Sequence, residues 1–70
     1  MPTLFKPQLL RKERERKHLT QTELAAIVNV NQATISTIES GRSNPSLKSL
    51  TALADALGIR VGRLFKRIVR

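Results

Sequence analysis

The sequence predicts a compact all-α fold of five short helices. Three observations point to it: apolar residues recur at helical spacing, no stretch alternates cleanly with period two, and the helix start and stop signals are unusually complete. The chain has 70 residues, one domain at most, and a domain of that size buries only roughly 60% of its unfolded surface, so its core is marginal.

Residues 1–6 read as an N-terminal arm. Pro7 suits the first turn of a helix, and Gln8 to about Lys17 follows with helix formers and no breaker. A second helix, about Gln21 to Val28, opens on two signals at once. Thr20 and Glu23 form a capping box, and Leu19 and Leu24 form a hydrophobic staple. Asn31 caps a third helix, Gln32 to Ser40, with Val30 able to staple to Ile35 and Gly41 ending it in the left-handed conformation. Arg42 to Pro45 is a loop. Ser46 caps the fourth helix, Leu47 to Leu57, which Gly58 ends. A fifth runs from about Val61 to Lys66 or beyond, because Val61, Leu64, Phe65, Ile68 and Val69 share one helical face. Gly62 weakens that helix, and a strand from Ile59 is the alternative. Residues 66–70 form a basic tail.

The net charge is +8, from 13 Lys and Arg against 5 Asp and Glu, and the pI is near 11.6. Such a balance points to a polyanionic partner, nucleic acid before an anionic membrane. Six cations lie between Lys6 and Lys17 and five between Arg60 and Arg70, whereas Leu19 to Gly41 has no Lys or Arg at all. There is no cysteine and one histidine, hence no disulfide and no recognisable metal site. No glycine-rich phosphate loop or grouping of acid, base and nucleophile accompanies His18, so neither enzyme activity nor a cofactor is expected. The sequence shows no signal-peptide core and no membrane-spanning run, and a cytoplasmic protein is expected.

Helices two and three are separated only by Asn29-Val30-Asn31. So short a turn forces a sharp angle between them, the helix-turn-helix arrangement in which the second helix enters the DNA major groove. Ala25 is small where the helices approach closely. Leu24, Val28, Val30, Ile35 and Ile38 are expected to face the core, and Asn29 tolerates the positive φ of the turn. At 100° per residue, Ala33, Ser36, Thr37 and Ser40 point away from Ile35 and Ile38, with Gln32 at the leading edge. That face is small, uncharged and able to hydrogen-bond, the chemistry that reads base edges, while cations serve the phosphates.

Arg14, Leu19 to Ala25 (LTQTELA), Gln32 to Gly41 (QATIS-IE-G), Pro45 with Ser46, and Leu53 to Ile59 (LADALGI) together resemble the Cro/cI-like (XRE) helix-turn-helix family of phage repressors and bacterial regulators. The likeness covers about four-fifths of the chain, Leu10 to Phe65. It departs at Asn29, where the family usually has Gly, and in the arm and tail, for which the family pattern has no counterpart. The resemblance implies a lambda-repressor-like domain that binds double-stranded DNA, bacterial or phage-encoded and on the nucleoid when DNA-bound. It implies a largely buried ion pair between Arg14 and Glu39, structural in role. It places the loop holding Arg42 and Asn44 along the DNA backbone. Lambdoid phage repressors use a glutamine pair at positions matching Gln21 and Gln32, the first touching phosphate and bracing the second against a base.

The candidate DNA-binding residues are therefore Gln21, Asn31, Gln32, Ala33, Ser36, Thr37, Ser40, Arg42 and Asn44. The plainer alternative for each is a solvated surface residue, and Arg11, Lys12, Arg16 and Lys17 read as a general basic field. The expected function is a sequence-specific transcriptional regulator, most naturally a repressor on a palindromic operator. A homodimer is expected, with Ile68 and Val69, and secondarily Leu4 and Phe5, at the interface. An antitoxin with a toxin protein partner is the alternative, its free ends serving as partner surface. A membrane-active peptide built on the cationic tail is a third and weaker reading, and no membrane partner is expected.

Overall fold

The computed structural model describes residues 3–67. Its elements are β1 (Thr3–Phe5), α1 (Pro7–Arg16), α2 (Gln21–Ile27), α3 (Gln32–Glu39), α4 (Leu47–Leu57), a 3-10 turn (Val61–Leu64) and β2 (Phe65–Arg67). The expected second, third and fourth helices are all present. Each starts on a side-chain cap that supplies an acceptor to a free backbone N–H of the first turn. Thr20 and Glu23 complete the capping box: Thr20 Oγ1 accepts from Glu23 N at 3.0 Å, and Glu23 Oε1 accepts from Thr20 N at 2.8 Å. Asn31 Oδ1 accepts from Thr34 N at 3.0 Å, and Ser46 Oγ from Ser49 N at 3.1 Å.

The chain leaves each helix through a left-handed residue. Asn29 (φ 60°), Gly41 (φ 81°) and Gly58 (φ 68°) do so where expected, and His18 (φ 57°) does so without a sequence signal beyond its place at the end of α1. At Asn29 the turn closes with Val30 N–H donating to the Ala25 carbonyl at 2.9 Å. That geometry leaves the Val30 side chain at the rim, 41% exposed, and not in the core where it was expected.

Leu10, Leu24, Ile35, Leu57 and Leu64 are fully buried and bring α1, α2, α3, α4 and the 3-10 turn onto one core. Ala25 is buried with them, as its small size at the α2–α3 approach requires.

The expected fifth helix is not formed, so the fold is mostly helical and not all-α. A single 3-10 turn buries Leu64, and the chain then extends as β2, antiparallel to β1, with Thr3 opposite Arg67, Leu4 opposite Lys66 and Phe5 opposite Phe65. Gly62 and β-branched Val61 give a helix little support, and the strand finds backbone partners in the segment expected to be a free arm. Lys6 N–H adds a bond to the Leu64 carbonyl at 3.0 Å. Phe5 and Phe65 meet edge to face, with ring centroids 6.1 Å apart. The alternative strand at Ile59 is also absent; the extended segment begins six residues later. Ile68 and Val69, expected at a dimer interface, lie outside the described residues.

Glu13 fastens α1 to the 3-10 turn. It is buried, accepts from Arg63 Nη2 at 3.2 Å and has Arg16 Nη1 at 3.7 Å. Among the described residues, no helix is long and apolar enough to cross a membrane.

Candidate nucleic-acid interface

The centre of the site is a chain of hydrogen bonds from the core to the surface. Arg14, on α1, is held beside α3 by the short connection to α2, and its guanidinium is used on two sides. Nη1 donates to the Leu19 carbonyl at 2.6 Å, while Nε and Nη2 donate to Glu39 Oε2 and Oε1 at 2.7 and 3.0 Å. The side chains are 10% and 4% exposed, so this is a buried bidentate pair, the arrangement that the family likeness implied. The hydrogen bond to Glu39 raises the pKa of Arg14 above its ordinary value, and burial opposes that shift without cancelling it.

Glu39 Oε1 also accepts from Gln21 Nε2 at 3.0 Å. Gln21 Oε1 in turn accepts from Gln32 Nε2 at 2.6 Å. Gln21 and Gln32 are each the first residue of their helix, and the turn at Asn29 brings those two N-termini together. Gln21 is half-buried; Gln32 is exposed at the leading edge of α3.

The other candidates divide into two flanks. Ser36 is half-buried and shares a shallow polar recess with Arg11, Arg14, Gln21, Glu39 and Ser40. Ala33 is exposed and, with half-buried Thr37, lines a second hollow beside Asn31, Thr34 and Ser43. The outward face is thus less uniform than 100° spacing implies, because Ser36 and Thr37 sit at its margins. Several polar atoms are already engaged. Thr37 Oγ1 donates to the Ala33 carbonyl at 2.8 Å, so towards a ligand it offers lone pairs and a methyl group. Asn31 Oδ1 caps α3 and also accepts from Thr34 Oγ1 at 2.8 Å. Ser40 Oγ donates to the Thr37 carbonyl at 2.9 Å, and Arg42 Nε lies 3.4 Å from the same hydroxyl. Arg42 and Asn44 are exposed in the loop that follows.

Two features escaped the reading of the sequence. Glu39 touches Gln21, so the buried pair is continuous with the outer face. Arg11 lines the Gln21 recess and pairs with exposed Glu15 at 3.1 Å. The signal for the first was available: Gln32, Ser36 and Glu39 are spaced i, i+4 and i+7 along one edge of α3.

A family model described as helix-turn-helix matches residues 10–64, the span that contains this whole network. The chain belongs to the XRE-type helix-turn-helix family. It is 46% identical over 55 residues to an immunity repressor protein of Bacillus phage phi105, a match covering 79% of this chain and 36% of that protein. It is 33% identical over 64 residues to control protein C.MunI of a Mycoplasma species, covering 91% of this chain and 86% of that protein. Among solved structures, the restriction-modification controller protein C.AhdI from Aeromonas hydrophila superposes with a TM-score of 0.81 at 36% identity, covering 84% of this chain and 86% of that one. The chain spans about a third and about a half of the lengths of the two phi105 proteins that it matches. The helix-turn-helix fold also occurs as part of an enzyme. Hydroxypropylphosphonic acid epoxidase from S. wedmorenis matches with a TM-score of 0.80 at 26% identity, over 86% of this chain but only 32% of that one.

Proposed function

We propose that this protein is a transcriptional regulator of double-stranded DNA, without enzymatic activity, that acts as a repressor and binds a palindromic operator as a homodimer. The observation that carries the reading is the Gln21–Gln32 hydrogen bond at the entrance of α3. It leaves Gln32 with an acceptor and a second N–H directed outward, the two groups that match N6 and N7 of adenine in the major groove. Gln21, in the first turn of α2, would touch a phosphate while bracing Gln32. Ala33 and Thr37 offer methyl groups to thymine, Ser36 and Ser40 flank them, and Asn31, Arg42 and Asn44 border the face on the backbone side.

Dimerisation follows from reach. The eight residues of α3 rise only about 12 Å and so cover a few base pairs, whereas two such helices about 34 Å apart address one side of a duplex. Leu4, 48% exposed on β1, remains a candidate for the interface, while Phe5 is engaged with Phe65 within the same chain. The relatives are named as repressor and control proteins, which favours regulation over the antitoxin alternative.

Selection of bound sites from random duplex DNA tests the proposal. A two-fold symmetric site with adenine at one position of each half-site is expected. Gln32→Ala costs about 1–3 kcal/mol at that position and relaxes the preference there. A non-palindromic site bound by a monomer at micromolar concentration, or an unchanged base preference in Gln32→Ala, refutes it.

A further inference from the structure

The relay from Arg14 to Gln32 has a direction, and the direction is fixed at its buried end. A carboxylate can only accept hydrogen bonds. Glu39 takes two from Arg14, and its Oε1 takes a third from Gln21. Gln21 must therefore turn its NH2 group towards Glu39, which leaves its Oε1 facing Gln32. Gln32 can satisfy that oxygen only with an N–H, and the 2.6 Å contact is of that kind. What remains outward on Gln32 is then determined: Oε1 and the second N–H. The reversed amide would present NH2 alone.

The two senses suit different bases. An outward acceptor beside a donor fits adenine, whose N6 donates and whose N7 accepts. Guanine offers acceptors at both O6 and N7 and opposes an outward oxygen; an outward NH2 would suit it. We propose that Glu39, clamped by Arg14, is a positioning residue that sets the amide sense of Gln32 through Gln21 and so selects adenine over guanine at the contacted base pair. The base-selection half of this rests on the reading that Gln32 contacts a base; the control of amide sense does not.

The test uses the full chain and the operator recovered by selection, with adenine or guanine at the position read by Gln32. In Glu39→Gln the buried acceptor becomes an amide that can also donate, so both senses open. The ratio of affinities for adenine over guanine is expected to fall by roughly fivefold or more. Gln21→Met cuts the relay while keeping the Arg14–Glu39 pair. It should lower the ratio similarly with little change in melting temperature, and Glu39→Gln should have no further effect on the ratio in that background. A purely structural role for Glu39 would act equally in both backgrounds. Should Glu39→Gln fail to fold, the double variant Arg14→Met/Glu39→Gln, which strands no buried charge, carries the same expectation. Without DNA, side-chain amide NMR is expected to show a slowly exchanging Nε2 proton on Gln32 that loses protection in the Glu39 variant, because the reversed sense turns that NH2 group outward. If Gln32→Ala relaxes the ratio while Gln21→Met and the Glu39 variant keep it, the proposal is overturned and the base reading stands. If Gln32→Ala leaves the ratio unchanged, both the base reading and the base-selection half of the proposal fail. Amide protection that is unaltered by the Glu39 variant overturns the control of amide sense.

Discussion

Replacing Arg14 by Ala should come close to unfolding the domain. The guanidinium makes three hydrogen bonds, two to Glu39 and one to the Leu19 carbonyl. Its removal leaves the Glu39 side chain, 4% exposed, without its paired charge and with Gln21 as the hydrogen-bond partner that remains among the described residues. Stranding one member of a buried pair costs about 3–5 kcal/mol. A domain of this length has about 4–10 kcal/mol in total. For a chain of this size, each kcal/mol moves the melting temperature by about 4–8 °C, so a fall of at least about 12 °C is expected. Arg14→Lys, which keeps the charge but not the fork, should lose less, and Arg14→Met with Glu39→Met should be more stable than either single change, because it removes both charges together. Since the Arg14 pKa is raised in the folded state, the stability it confers is fully present below its ordinary value and is lost only as pH rises through the still higher folded value. Alkaline titration through the lysine range should therefore leave this contribution in place. Thermal and urea unfolding of the DNA-free protein measure all of these. Melting temperatures of Arg14→Ala and of the matching Glu39→Ala both within a few degrees of the parent would show that the pair is effectively solvated and refute the reasoning.

Three other expectations follow from separate parts of the molecule. Asn29→Ala places a β-carbon residue without a helpful side chain at φ 60° and should cost about 1 kcal/mol in urea unfolding, whereas Asn29→Gly should be neutral or stabilising. Phe65→Ala removes the edge-to-face contact with Phe5 and should destabilise by about 2 kcal/mol, with loss of protection at Leu4 and Lys66 in amide exchange. Affinity for the selected operator should fall by orders of magnitude from low to moderate salt as Lys and Arg release counterions from phosphate, and a flat response in a filter-binding or anisotropy titration would place the cations elsewhere.

The helices that carry the site could be read from single residues because their boundaries are local chemistry. Thr20 with Glu23, Asn31 and Ser46 each satisfy backbone N–H groups within three residues, and Asn29, Gly41 and Gly58 each solve a local φ requirement. What could not be read depended on distant partners. The face shared by Val61, Leu64 and Phe65 is compatible with a helix, and the pairing of Phe65–Arg67 with Thr3–Phe5 ends the helical path after one 3-10 turn. Val30 was placed inside by its type and lies at the rim because of the backbone path that Asn29 sets. In the site, the Gln21–Gln32 contact was legible from two helix starts brought together by one short turn. The Glu39–Gln21 bond left only a partial trace, the shared edge of Gln32, Ser36 and Glu39 on α3, because the bond itself requires the angle at which α2 crosses α3.

The ribbon of β1 and β2 also bears on the order of folding. It pairs residues from opposite ends of the described chain, while the capped helices and their turns are stabilised by neighbours in sequence. Closing so long a loop has an entropic cost that is recovered only once α1 and the 3-10 turn have already docked. The ribbon should therefore assemble last and open first, as a separate low-energy unit above a helical body that stays folded. The glutamine relay sits on that body, so the surface proposed to meet DNA is shielded from fraying at the strands.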